Sequence, residues 1–589
     1  MSIIRFADFE INGSSRELRL RNRELALQPR VFDLMCYLIK HRDRVVSKDE
    51  LLEELWPGVV VTDGSLQRAI SLARSALRQG GLADAIRTHA RSGYRFSYEI
   101  SQQDNDGNSY DVPDDLYEAR RFYENSDWDN AIKSFEISDS KRALEGPDLE
   151  RWADAIQCTG QSWDAIAPLE RAVAAHNSQG DIYGAARAML DLAHIQFEQR
   201  EFSIAKAWHQ RAARILPENE ICRELGTLKW LGARFATLTG ELEQSKELAE
   251  QAYYIGQELS DPDIEVLGLD YMGVALQAMG HMEEGAQLQD EAAAAVLAGN
   301  VSPIVGGLVY CGVIWSCRNR GDWERAAQWT DHFNRWCKTS PLHNLPGTCR
   351  LHRAEVLTVR GELDEAEKEA KAMAESLATR APWAEGDAYH VLGNIYLFRG
   401  NLDQAEAAFR RAHELGWDPQ PGYALLQVAR GATEAALQTL EASIANNNWA
   451  NQQKRGLLLA NFVIVAVAAG NLERAANALA EVEQRPELFP TDALKAVLCR
   501  AKADVARFED RLDDAVALYR QAIQLWQNVG SPLNIAVNRL YLANSLIQQN
   551  NVHNAELELG SAIACFKKTG AAALLKNCVE LKRQILAST

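Results

Sequence analysis

Between Thr62 and Phe96 the chain gathers side chains suited to gripping a polyanion. Gln67, Arg68, Ser71, Arg74, Ser75 and Arg78 recur at helical spacing, and no carboxylate falls among them. A guanidinium group can bridge two phosphate oxygens or a guanine edge with paired hydrogen bonds. Arg87, His89, Arg91 and Arg95 follow closely as a second basic stretch. The chemistry in view is recognition of nucleic acid, with no bond made or broken. An ordinary solvated helix face also carries arginines, so the reading depends on the elements that would hold these residues.

Those elements can be traced. Leu66, Ala69, Ile70, Ala73 and Leu77 fall on the opposite face, so residues 64–78 read as an amphipathic helix. Ile3 to Leu27 alternates apolar and polar residues in short strand-like pieces, broken at Asn12-Gly13. Gln28-Pro29 opens a helix, with proline where its missing N–H is harmless. Ser47 and Glu50 form a capping-box pattern for a second helix. The loop Trp56-Pro57-Gly58-Val59-Val60-Val61 leads into the basic helix, and Ile86–Thr88 with Gly93–Phe96 reads as a closing hairpin.

In that order and spacing, residues 1–100 resemble the winged-helix effector domain of OmpR/PhoB-type transcription regulators, in particular the ToxR/CadC-like branch. The resemblance implies a helix in the major groove of double-stranded promoter DNA. Ser65, Arg68, Ser71, Leu72, Arg74 and Arg78 would then face phosphates and bases. Thr88, Arg91 and Tyr94 would sit in or beside the wing, near the adjacent minor groove or backbone. Trp56, Pro57, Gly58, Val59 and Val60 would form a loop touching RNA polymerase. The resemblance also implies tandem half-sites bound by a homodimer. Leu72 stands where the family is often basic and Ala73 where it often has Leu, as if a large apolar residue had moved by one position. Leu72 there could meet a thymine methyl.

The 589 residues exceed what one core can organise, so at least two units are expected. No run of 18 apolar residues occurs and the start carries acids early, so neither a membrane anchor nor a signal peptide is expected. The ten cysteines are scattered without ligand spacing, which suits reduced thiols in a cytoplasm and no metal site. Charge is uneven. Residues 1–100 hold 16 basic and 13 acidic side chains, a net of +3, whereas the whole chain is −18, leaving −21 for the remainder. Only the first module is electrostatically suited to nucleic acid. Residues 101–114 are polar and acidic and read as a linker.

From about residue 115 the chain repeats itself. Turn positions fall at 126, 160, 200, 240, 280, 321, 361, 400, 431, 470, 510 and 550. Five residues after each stands a small residue, as in Ala131, Ala326, Ala405 and Ala555; another often stands seven before. Small residues there let two antiparallel helices approach closely. The pattern resembles the tetratricopeptide repeat with a period of about 40 residues. The expected architecture is mainly α: an α+β winged helix (1–100), a linker (101–114), and an α-solenoid of about twelve tetratricopeptide-like helix pairs over 115–589. The stretch 307–440 is also similar to the helical repeats of LuxR-type regulators, where a nucleotide-binding module precedes them. Here no Gly-Lys dipeptide exists, so a Walker A loop is excluded.

Residues 310–352 concentrate aromatic side chains. Trp315, Trp329, Trp336 and His352 are candidates for an effector pocket, against the plainer reading that they pack between helices. No catalytic constellation, cofactor motif or metal cluster stands out. Acid pairs such as Asp364-Glu365 start helices, where carboxylates suit the dipole. The expected function is a cytoplasmic, one-component transcription regulator, an activator in preference to a repressor. Its repeats would receive a protein, peptide or small-molecule effector. No receiver domain is present, so control by an aspartyl phosphate is not expected. The alternative is a protein-interaction scaffold in which the winged helix only docks.

Overall fold

The computed structural model describes the chain except residues 1–2, 13–16, 21–22, 26, 28, 43, 56–62, 79, 81, 83–84, 90–92, 99–100, 103–113, 161, 218–219, 300, 340–347, 381, 447–453 and 589. The contacts divide it into two compact units. One comprises Met1–Phe235 with Gln244–Tyr271, the other Ala236–Glu243 with Met272–Thr589.

The first unit begins with strands β1 (Ile3–Phe6), β2 (Phe9–Asn12), β3 (Glu17–Leu20) and β4 (Arg23–Leu25). Helices α1 (Pro29–Lys40), α2 (Lys48–Leu55) and α3 (Asp63–Arg78) follow, then β5 (Ile86–His89), β6 (Gly93–Phe96) and β7 (Ser101–Gln102). The larger sheet is antiparallel with order β4-β3-β2-β1-β7, and β5 pairs with β6 alone. Ser101 and Gln102, expected to begin the linker, instead pair with Arg5 and Ile4 and complete the sheet edge. The core joins Phe6, Phe9 and Ile11 of the sheet to Leu34, Met35 and Leu38 of α1, with Leu66 and Leu77 of α3. Phe6 stacks on Phe9 at 5.4 Å and meets Phe96 edge-on at 5.2 Å, fixing β6 to the sheet.

Half of the expected capping box forms. Ser47 Oγ accepts from the Glu50 N–H at 3.2 Å. The Glu50 carboxylate takes the Tyr37 hydroxyl at 2.9 Å and the Arg44 guanidinium at 2.9 and 2.6 Å, joining α2 to α1.

The rest of each unit is built of antiparallel helix pairs, such as Ile182–Glu198 with Phe202–Ile215 in the first and Pro382–Arg399 with Leu402–Glu414 in the second. Every turn position read from the sequence has positive φ, from Asp510 at 60° and Ser126 at 58° to Gly280 at 99°. A chain that must reverse between two helices needs one left-handed residue, and glycine takes that conformation at least cost. The small residues five positions on are buried, with Ala131, Ala205, Ala366 and Ala515 at zero exposure. Their need for smallness is direct. A Cβ added to Gly273 would lie 2.5 Å from the Gly285 carbonyl oxygen. Where the period shortens between Gly400 and Gly431, the first helix of the pair is only Gly422–Ala429.

Within the second unit the array also meets itself across several repeats. Thr491 Oγ donates to the Arg320 carbonyl at 2.9 Å. A Cβ on Gly400 would lie 2.3 Å from Cβ of Ala573. Leu363 shares one apolar cluster with Leu533, Phe566 and Ile585. Among the described residues no helix is long and apolar enough to cross a membrane.

Candidate nucleic-acid interface

Helix α3 carries the basic residues on one side because its other side is spent on the core. Leu66, Ala69, Ile70, Ala73 and Leu77 are all buried. Gln67, Ser71, Leu72, Ser75 and Arg78 are exposed along the opposite face, and no acid lies between Gly64 and Arg78. The odd pair is explained by helical phase: Ala73 is in register with Leu66 and Leu77 and is fully buried, while Leu72 is turned outward at 36% exposure. An apolar side chain thus stands among polar groups on the open face.

Arg74 lies at the flank of this face, and the structure gives it work inside the protein. Its Nε and Nη2 donate to the Ile86 carbonyl at 3.0 and 2.8 Å, and Nη2 donates to Thr88 Oγ1 at 2.7 Å. One guanidinium therefore ties the helix to β5 and sets the wing beside it. Thr88 is engaged by the same group.

The base of the wing is held by backbone. Val46 and Tyr94 exchange N–H···O bonds of 2.8 and 2.9 Å. Gly93 precedes this bridge at φ +135°, and a Cβ there would fall 1.9 Å from the Val46 carbonyl oxygen. Only glycine fits. Tyr94 is 4% exposed within the apolar cluster, so its ring is part of the core and is not displayed outward. Arg95 Nε donates to the Arg42 carbonyl at 3.0 Å, again anchoring the hairpin.

Of the residues read from the sequence, Ser71, Leu72 and Arg78 are brought together on an open surface, with Arg74 and Thr88 joining that surface to the wing. The side chains of Ser65 and Arg68, residue Arg91 and the loop Trp56 to Val60 lie outside the described residues. Sequence reasoning missed the division of labour between Arg74 and Arg78. It depends on β5, which no local pattern places against α3.

The candidate effector residues separate into two sets. Trp329 and Trp336 pack around the buried ring of Tyr310, with centroids 6.1 and 5.6 Å away. Trp329 Nε1 donates to Asp290 Oδ1 at 2.6 Å. Trp315 lies half-buried on the Tyr310 helix, Pro303–Asn319. His352 belongs with a buried charge network instead. There Arg318 donates to Asp387 at 2.5 Å and to Glu355 at 2.9 Å. Burial, reinforced by the Arg318 charge, pushes His352 down to about 3, so it is neutral, and its Nδ1 has no partner. His390 is likewise pushed down to about 3, chiefly by burial, with its Nδ1 unpartnered. Arg318 and Lys454 both lie over the Trp417 ring, at 5.9 and 5.5 Å. The network escaped the sequence reading because its members come from separate repeats.

Comparison with known proteins agrees with the first unit's architecture. Residues 22–96 match the family described as transcriptional regulatory protein, C terminal. The transcriptional activator CadC of Escherichia coli (strain K12) is 29% identical over 76 residues, 13% of this chain and 15% of that protein. The phosphate regulon transcriptional regulatory protein PhoB of Shigella flexneri is 30% identical over 96 residues, 16% of this chain and 42% of that protein. The chain thus spans less than half the length of these relatives. Among solved structures, the APC/C hetero-tetramer Cut9-Hcn1 aligns over 80% of this chain and 92% of that one, at 14% identity and TM-score 0.41. The Rap protein complexed with Competence and Sporulation Factor gives 0.28 at 14% identity, over 70% and 97%. Similarities of that size carry no argument, and the solenoid rests on the turns and packing described above. Residues 22–96 are a domain of the OmpR/PhoB type, followed by helical repeats.

Proposed function

We propose, from the premise that residues 22–96 are an OmpR/PhoB-type domain, that the chain is a one-component transcription regulator acting in the cytoplasm without catalysis. Its first module binds double-stranded promoter DNA. The observation that carries this is the open, acid-free face of α3, with Ser71, Leu72 and Arg78 exposed beside a wing fixed by Arg74. Arg68, Ser65 and Arg91 extend the contact set by position. Arg74, Thr88 and Tyr94 act chiefly by placing the wing. A single small module makes few phosphate contacts and binds weakly at physiological salt, which favours a homodimer on paired half-sites. The Trp56–Val60 loop is the surface proposed for RNA polymerase, and activation is the proposed direction of control.

The repeats receive the effector, a protein, peptide or small molecule. The network of Arg318, Glu355 and Asp387, with His352 and His390 offering unpartnered Nδ1 atoms, is better suited to this than Trp329 and Trp336, which pack around Tyr310. Selection of bound duplexes from a random pool by the purified full chain tests the DNA assignment. Enrichment of a repeated half-site is expected. A pool that stays random at low salt overturns it.

A further inference from the structure

The wing does not stand free in the first unit. Side chains along β5 alternate between two sides. The Ile86 side chain enters the apolar core and Thr88 Oγ1 meets Arg74, while Arg87 and His89 meet the repeats. The Arg87 guanidinium lies over the Tyr183 ring, 4.7 Å from its centroid. His89 Nδ1 is 3.0 Å from Glu220 Oε1, with 20% and 24% of the two side chains exposed. Burial, and after it the neighbouring Glu220 carboxylate, holds the Tyr183 hydroxyl above its usual range, so one acid lies beside both contacts. Arg74 Nη1, the corner of the guanidinium left over by β5, donates to the Leu259 carbonyl at 3.3 Å. Tyr183 stands in the first turn of Ile182–Glu198, Glu220 shortly before Arg223–Thr239, and Leu259 ends Leu242–Leu259. They recur about one repeat apart and so line a single edge of successive repeats.

We propose that this repeat edge is a docking surface for the wing of the same chain, and that docking holds the DNA-binding module in a closed, low-affinity form. The inference rests on the reading of residues 22–96 as a DNA-binding domain. Arg87 and the His89 ring are the groups a wing would offer to a phosphate backbone, and here they are engaged by an aromatic face and a carboxylate of the repeats, while Arg74, which places the wing, is tied to a repeat carbonyl. The open face of α3 remains available, so the closed form touches a duplex with the helix but not with the wing. Glu220 also brings negative charge to where the second set of phosphates would lie. When only a fraction of molecules is open, the apparent dissociation constant rises by the reciprocal of that fraction. A ligand that shifts the repeats along this edge thereby raises DNA affinity without touching DNA.

The test uses the full chain, a labelled random-sequence DNA duplex at low salt, and hydrogen–deuterium exchange over residues 85–96. Tyr183→Ala removes the aromatic face without changing charge, and Glu220→Gln removes the shared acid. Glu201→Gln, on a turn at the other end of its helix pair, controls for loss of one negative charge. Faster exchange in β5 and roughly tenfold tighter duplex binding are expected for Tyr183→Ala and for the double variant, with the control within about twofold of wild type. Unchanged exchange in β5 overturns the docking. Faster exchange with unchanged affinity overturns the inhibition while the DNA-binding reading stands. Loss of all duplex binding in wild type and variants alike overturns that reading, and the inhibition with it.

Discussion

Arg74 and Arg78 lie one turn apart on α3, yet they meet different chemistry. Arg74 donates to Ile86, Thr88 and the Leu259 carbonyl, whereas Arg78 is exposed at the end of the open face. Arg78→Ala is therefore expected to weaken duplex binding to a similar degree on all sequences and to lower the slope of log affinity against log salt by about one. Titration against duplex at several salt concentrations checks this. In the first repeats, His176 is fully buried, with Nδ1 3.0 Å from Asp181 and Nε2 3.6 Å from Glu150. Burial opposes its charge, but the Asp181 and Glu150 carboxylates beside it override this and raise it to about 9. A folded value above the unfolded one gives stability that is complete below about pH 6.5 and lost as pH rises through about 9. His176→Gln is expected to destabilise the protein by roughly 2–4 kcal/mol more at pH 6 than at pH 10, in denaturant unfolding of the two proteins.

At the scale of elements, the repeats were legible because each imposes the same two demands on sequence, a left-handed turn and a small residue at the helix crossing. Both recur at each predicted position, even where Ser126, Arg200, Asp510 and Asn550 replace glycine. What sequence could not show is which turns meet distant repeats. Gly400 and Gly431 share φ near 80°, but a Cβ at Gly431 meets nothing within 4 Å, while one at Gly400 strikes Ala573. Gly431→Ala is expected to cost about 1 kcal/mol from the backbone alone. Gly400→Ala should cost at least about twice that, because backbone of the last helix must also move. Equal costs in equilibrium unfolding would contradict the contact between these repeats. The winged helix was legible for a different reason. The apolar face of α3, Pro29 and the Gly93-Tyr94 base are each fixed by local rules. The capping box was misread in part because Glu50 finds stronger partners in Arg44 and Tyr37. Strand β7 was missed because two polar residues carry no strand pattern and pair only through β1.

For the whole molecule, charge divides the labour: a module of net +3 precedes a body of net −21. That asymmetry was plain from composition and directs the first module toward a polyanion. The network around Arg318 and the edge at Tyr183, Glu220 and Leu259 were not, since each gathers residues from several repeats. The central claim is that the open face of α3 reads promoter DNA. Genome-wide mapping of bound sites, for the intact chain and for a Ser71→Glu/Arg78→Glu variant, addresses it most directly. Both positions are exposed, so the variant keeps the fold. Sharp promoter sites in the intact chain that vanish in the variant are the predicted result, and sites that persist unchanged in the variant would contradict it.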